Sequence, residues 1–167
     1  MKLFTPTNIK SVFILILISV FTLSSCQNSS EKIISSVGKY DDHVSYTRGE
    51  FQDHTDYAKY YFSSTDISNN KYFVKVKDSD QDKINRLLDN FESLIYTYKE
   101  ADATQEIVAK YDFDKTCIDE EDHIYIEYEE SVIETLDNEK TLSVFLSYDI
   151  YFFDVQTQIL YYFHNNL

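Results

Sequence analysis

The sequence predicts an α+β fold in two layers, an amphipathic helix packed on an antiparallel meander of about four strands. Three observations lead there. Apolar residues recur at three- and four-residue spacing from about Asp80 to Glu100. They then alternate with polar residues from Ile107 to Phe113 and from Ile124 to Glu129. Finally, 142–153 and 159–163 are almost continuously apolar or aromatic, as strands buried on both faces read.

Each element has its own justification. In the helix, Ile84, Leu87, Leu88, Phe91, Leu94, Ile95 and Tyr98 share one side, while Asp82, Arg86, Asp89, Asn90 and Glu92 take the other. Asp78, Ser79 and Asp80 supply N-caps and negative charge where the helix dipole is positive. An earlier stretch, 51–62, sets Phe51, Thr55, Ala58, Tyr61 and Phe62 on one helical stripe, although its tyrosines also suit a strand. The period of two over Ile107, Ala109, Tyr111 and Phe113 predicts a strand. So does that over Ile124, Ile126 and Tyr128, which are expected to face the helix. Neither Gly nor Pro occurs after Gly49, so the turns, including 154–158, rest on Asn, Asp and Ser.

The chain has 167 residues, with 43% hydrophobic and 26% charged, which suits one packed domain rather than a disordered chain. The charge is uneven. Lys2 and Lys10 are two of the 15 bases, and all 29 acids lie beyond residue 30, so the rest of the chain carries 13 bases against those acids. Nucleic acid is an unsuitable partner, because such binders neutralise phosphates with Lys and Arg. No glycine-rich turn exists to cradle a phosphate, and no cofactor is expected.

The first 26 residues have a basic start, an apolar run from Ser11 to Leu23, then small residues: the pattern of a secretory signal peptide. The run is shorter than the ~20 residues that span a bilayer. It ends in Leu23-Ser24-Ser25-Cys26, which resembles the lipobox of bacterial lipoprotein precursors. The resemblance implies a diacylglyceryl group on the Cys26 thiol, cleavage after Ser25, and residence on the extracytoplasmic face of the cell membrane. Two acyl chains give stable anchoring, at ~0.8 kcal/mol per buried methylene. The alternative is an ordinary secretory signal with an incidental cysteine. The expected organisation is a signal peptide over 1–25, a flexible tether over 26–39 carrying lipidated Cys26, and a single domain over 40–167. With Cys26 lipidated, Cys117 has no disulfide partner and is expected to be a small buried hydrophobe.

Further along, the segment Phe51, Asp56-Tyr57, Tyr60-Tyr61, the Asn90-Phe91-Glu92 turn, and the runs 149–154 and 160–166 resemble a group of small, functionally uncharacterised lipoproteins from Gram-positive bacteria. The resemblance implies surface localisation and no activity.

Several constellations invite chemistry. Asp78, Asp80 and Asp82 are spaced like the first ligands of a calcium loop, but Lys83 stands where that loop needs Gly, and helix capping explains the acids. Asp112, Asp114, Asp119 and Asp122, with Glu120 and Glu121, crowd one connection and are candidate oxygen ligands for a hard cation; solvated charge is the plainer reading. Cys117 with His43, His54, His123 or His164 lacks any nucleophile elbow or cysteine-protease signature. No His-Glu-x-x-His helix or paired Cys spacing announces zinc.

The aromatic excess remains. If Ile124, Ile126 and Tyr128 face the helix, then Tyr125, Glu127 and Glu129 face away, and Tyr151, Phe153, Tyr161 and Phe163 are candidates to join them in a binding surface. The alternative is that these rings pack in a further core layer. The sequence thus predicts a lipid-anchored, non-enzymatic surface module for a protein or peptide partner. An envelope hydrolase using a carboxylate pair, or a calcium-binding lipoprotein, stands as the alternative.

Overall fold

The computed structural model describes residues 29–50, 53–97, 105–134 and 141–166. The expected signal peptide and Cys26 lie outside the described residues. The chain divides between Val37 and Gly38. In the first unit, helix α1 (Ser29–Val37) places Ile33, Ile34 and Val37 on one stripe, and all three are buried. Residues 29–37 of the expected 26–39 tether thus hold a short amphipathic helix, with its serines and lysine spaced around the buried stripe.

The second unit is a mixed α+β structure. It comprises β1 (Asp42–Glu50), β2 (Asp53–Tyr61), β3 (Val74–Lys75), α2 (Gln81–Thr97), α3 (Gln105–Lys110), β4 (His123–Glu134), β5 (Thr141–Asp154) and β6 (Ile159–Asn166). The six strands form one antiparallel sheet in the order β1-β2-β6-β5-β4-β3. The expected meander of about four strands is therefore part of a wider sheet: β4, β5 and β6 do follow one another, and the β1–β2 hairpin adds to the outer edge of β6.

Of the two readings of 51–62, the strand holds over the described part: residues 53–61 form β2, whose Tyr57, Tyr60 and Tyr61 fit a pleated surface between two neighbours, while Phe51 lies outside the described residues. Conversely, the alternation from Ile107 to Phe113 does not make a strand. Gln105–Lys110 is helical, and the Tyr111 amide donates to the Ile107 carbonyl at 2.8 Å, so these two residues meet as a helical pair.

Helix α2 is capped by Asp80, whose carboxylate accepts from the Lys83 amide at 3.0 Å. Its apolar side supplies Ile84, Leu87, Leu88, Phe91 and Ile95 to the core, where they join Tyr57, Ile124, Tyr148, Ile150, Phe152 and Phe163 from the sheet. Burying each such side chain stabilises the fold by about 1.5–3 kcal/mol. Phe91 and Phe113 both meet the Phe163 ring edge-on, at centroid distances of 5.2 and 4.9 Å.

A bulge decides which residues of β5 face this helix. Pairing with β4 passes from Glu129↔Ser147 to Glu130↔Phe145, so Leu146 is skipped. Phe145 thereby joins Tyr148, Ile150 and Phe152 on the helix side despite its odd number. On the same side Glu130 accepts from Arg86 of α2 at 3.1 Å.

At the other end, Gln158 adopts φ +59° in the β5–β6 turn. Its carbonyl accepts from the Phe62 amide at 3.0 Å and its side chain from the Thr65 amide at 2.6 Å. The turn is thus tied to the segment that leaves β2. Phe62 of that segment packs on Phe153, and Tyr72 and Phe73 pack on Tyr125, all on the sheet face away from α2.

Candidate functional site

Alternation along paired strands arranges the sheet's far face, away from α2, in rows. Tyr125, Tyr151 and Tyr162 are direct cross-strand partners on β4, β5 and β6. Their ring centroids are 5.8 and 4.9 Å apart. The next row runs Glu127, Asp149, His164 and Asp56 across β4, β5, β6 and β2. His54 lies two residues before Asp56 and so shares its face.

The hydroxyl of Tyr162 donates to Asp149 Oδ1 at 2.7 Å, and His164 Nδ1 lies 2.9 Å from the same oxygen. In the tautomer with the proton on Nδ1, the ring donates to this carboxylate and Nε2 keeps its lone pair. That Nε2 is buried and has no hydrogen-bond partner, and the same holds for Asp56 Oδ1. His54 Nε2 stands 3.7 Å from Asp56 Oδ2, and the His54 and His164 rings lie 4.4 Å apart. One ligand-type atom from each of His54, Asp56 and His164 falls within 4.8 Å of the others. Two imidazoles and a carboxylate so placed can accept protons or hold a cation.

The predicted binding residues are dispersed relative to this cluster. Tyr125, Glu127 and Glu129 do face away from α2, and the last two are exposed. Tyr125 donates to Glu127; burial first, and then that carboxylate, pushes its phenol up to about 12. Tyr151 and Phe153 occupy the same face but are buried, so they pack rather than present contact area. Tyr161 and Phe163 are on the other face, beside Phe113 and the α2 core. In an unbroken apolar run the sequence carries no polar alternation to assign the faces, and the register with Phe152 and Ile150 does so instead.

The acidic connection does not gather into one centre. Asp112 accepts from the Tyr57 hydroxyl at 2.8 Å and from Lys59 at 2.6 Å. Asp114 caps a 3₁₀ turn through the Thr116 amide, and Asp119 accepts from the Glu121 amide. Asp122 is buried with its two oxygens on the Val155 and Asp119 amides. These four carboxylates thus bond to their own loop, to Tyr57 and Lys59 of β2, and to the Val155 amide of the β5–β6 turn. Among the described residues, the group of ligand atoms that converges is the His54, Asp56 and His164 one.

Cys117 is exposed, not buried, because it ends the 3₁₀ turn Lys115–Cys117. Partial burial, followed by the negative charges of Asp154, Asp122 and Asp114, pushes its thiol up to about 11, the reverse of an activated nucleophile. An open depression of about 420 Å³ between α2 and β5 is lined by Arg86, Asp89, Asn90, Ser93, Val144 and Phe145. It holds one carboxylate, and that one is engaged by Lys115.

No protein-family model matches the chain, and no curated protein or solved structure is significantly similar to it. The site therefore has to be read from its own chemistry.

Sequence reading missed this cluster for a definite reason. It sought helical His-Glu-x-x-His and paired cysteines, whereas His54-Thr55-Asp56 is a strand motif. The helical reading of that segment puts His54 and Asp56 on different sides, and the strand reading puts them on one. A period of two with His and Asp in phase is the signal that could have found it.

Proposed function

We propose that the chain is a lipid-anchored module on the extracytoplasmic face of the cell membrane that binds rather than hydrolyses. The observation that carries the anchor is the Leu23-Ser24-Ser25-Cys26 tetrad behind an apolar run of signal-peptide length. The likeness to small Gram-positive lipoproteins agrees with it. Among the described residues no helix is long and apolar enough to cross a membrane.

Binding is preferred to hydrolysis because the carboxylates with identified roles, Asp112, Asp122, Asp149 and Asp154, accept from neighbouring groups. A glycosidase pair needs two carboxyls about 5–10 Å apart across an open substrate cleft. The rim formed by half-buried Tyr125 with exposed Glu127 and Glu129 offers a protein or peptide partner a ring beside negative charge. Radiolabelled palmitate fed to expressing cells tests the anchor. The label enters the wild-type band, which fractionates with membranes, and both are lost in Cys26→Ala. Equal labelling of the two proteins contradicts it.

A further inference from the structure

We propose that His54, Asp56 and His164 form a binding site for a divalent first-row transition-metal ion of the zinc class, with Asp149 as the residue that positions His164. The inference goes beyond the anchored-module reading and does not depend on it.

Four observations converge. First, strand geometry brings the three side chains together. His54 and Asp56 are in phase on β2, and His164 is the direct cross-strand partner of Asp56 on β6. Their ligand-type atoms fall within 4.8 Å of one another. Three ligands held about 2.0–2.2 Å from a zinc ion stand roughly 3.4 Å apart. Side-chain rotation closes the difference, and His54, with a side chain one-third exposed, has room to turn.

Second, two of the three residues each carry a polar atom that is left over. His164 Nε2 and Asp56 Oδ1 are buried without a hydrogen-bond partner, which is costly unless something else satisfies them. Third, Asp149 stands behind His164 at 2.9 Å and is itself held by the Tyr162 hydroxyl. A carboxylate on the far nitrogen of a ligating imidazole fixes its tautomer and raises its basicity, as in carboxylate–histidine–zinc arrangements. Fourth, the chain carries a formal charge of −14, which favours a cation over any anionic ligand.

The donor set decides the class of ion. Two imidazoles and one carboxylate suit zinc, copper, nickel or iron, whereas calcium and magnesium demand oxygen ligands. Three protein ligands leave at least one coordination position for water or for a group brought by a partner.

The test uses the full-length chain in detergent after removal of metal with a chelator. Zn²⁺ is titrated against a competing chromogenic chelator, and Co²⁺ is followed by its visible absorption. Wild-type protein is expected to take up one equivalent of Zn²⁺ and to give a Co²⁺ band. His54→Ala and His164→Ala should each weaken binding at least ~10-fold, and Asp149→Asn by roughly 10–100-fold while keeping the stoichiometry. His43→Ala and His123→Ala, which alter imidazoles outside the cluster, should bind as wild type does. Should His164→Ala lose its circular-dichroism spectrum, His54→Gln, at the more exposed position, carries the same test. Absence of saturable one-equivalent uptake overturns the proposal. So does affinity indifferent to His54 and His164, or an equal loss in His43→Ala.

Discussion

His164 turns its Nδ1 toward Asp149 Oδ1 at 2.9 Å across the β5–β6 pair. The carboxylate holds the ring from β5, Nε2 is buried without a hydrogen-bond partner, and Asp56 on β2 is the direct cross-strand partner of His164. The far face of the sheet therefore carries a built arrangement of ionisable groups, while the near face is filled by α2.

The near face makes the first prediction. Phe91 is fully buried and meets Tyr111 and Phe163, so Phe91→Ala should cost about 3–5 kcal/mol in urea unfolding through lost transfer energy and a residual cavity. Tyr96, on the same helix but 46% exposed, should change stability by no more than ~0.5 kcal/mol when replaced by Ala.

Tyr57 and Asp112 make the second. Tyr57 is in the core, and its hydroxyl donates at 2.8 Å to Asp112, whose other oxygen accepts from Lys59. Burial pushes the Tyr57 phenol far up, and the Asp112 carboxylate adds to that. Burial alone would raise Asp112, yet the bonds from Lys59 and Tyr57 hold it below the usual carboxylate range. Tyr57→Phe should cost about 1 kcal/mol. Asp112→Ala should cost more, about 1–3 kcal/mol, because it leaves a buried hydroxyl unmatched. The double variant should be more stable than the sum of the two losses predicts; strict additivity in a denaturation cycle would show that the pair is not coupled.

How much of this was legible beforehand depends on the kind of pattern. Helix α2 was readable because six apolar residues, Ile84 to Ile95, repeat at its period, with Tyr98 outside the described residues, and the facing of β4 was readable because Ile124, Ile126 and Tyr128 alternate with polar neighbours. Nothing local could separate the faces of β6, where Tyr161 and Phe163 sit among other rings. Ile107 and Tyr111 satisfy a period of two and a period of four equally, so only tertiary burial against α2 chose the helix. The metal-type cluster was the least visible, since His164 and Asp56 become neighbours only when the first hairpin docks on the last strand.

Acid behaviour supplies the third prediction. Hydrogen bonds from Lys75 and Lys77, and then their charges, lower the Glu121 carboxyl from its ordinary 4.5 to about 2. A carboxyl lowered in the folded state stabilises fully above its unfolded value and loses that contribution as pH falls toward the folded one. The melting temperature of Glu121→Gln should therefore lie below wild type at pH 7, and the gap should close between pH 4.5 and 2. Because the group is exposed, 1 M salt should also shrink the gap at pH 7.

Cys117 gives the fourth. The residue is exposed, yet partial burial of the thiol and then three nearby aspartates push it up to about 11. Alkylation by iodoacetamide, followed by intact mass, should be far slower at pH 7.4 than for a free thiol, and should quicken about tenfold per pH unit toward pH 10. Asp114→Asn should speed it, since one of the opposing charges is gone. A rate at pH 7.4 equal to that of a model thiol would contradict this.

The most direct test of the far-face account is the tautomer of His164, read from long-range ¹H–¹⁵N correlations of the neutral ring in the metal-free full-length protein. The arrangement predicts the proton on Nδ1, with Nε2 bare, and a shift toward the Nε2–H form in Asp149→Asn. An Nε2–H ring in the wild type, indifferent to Asp149, would contradict it.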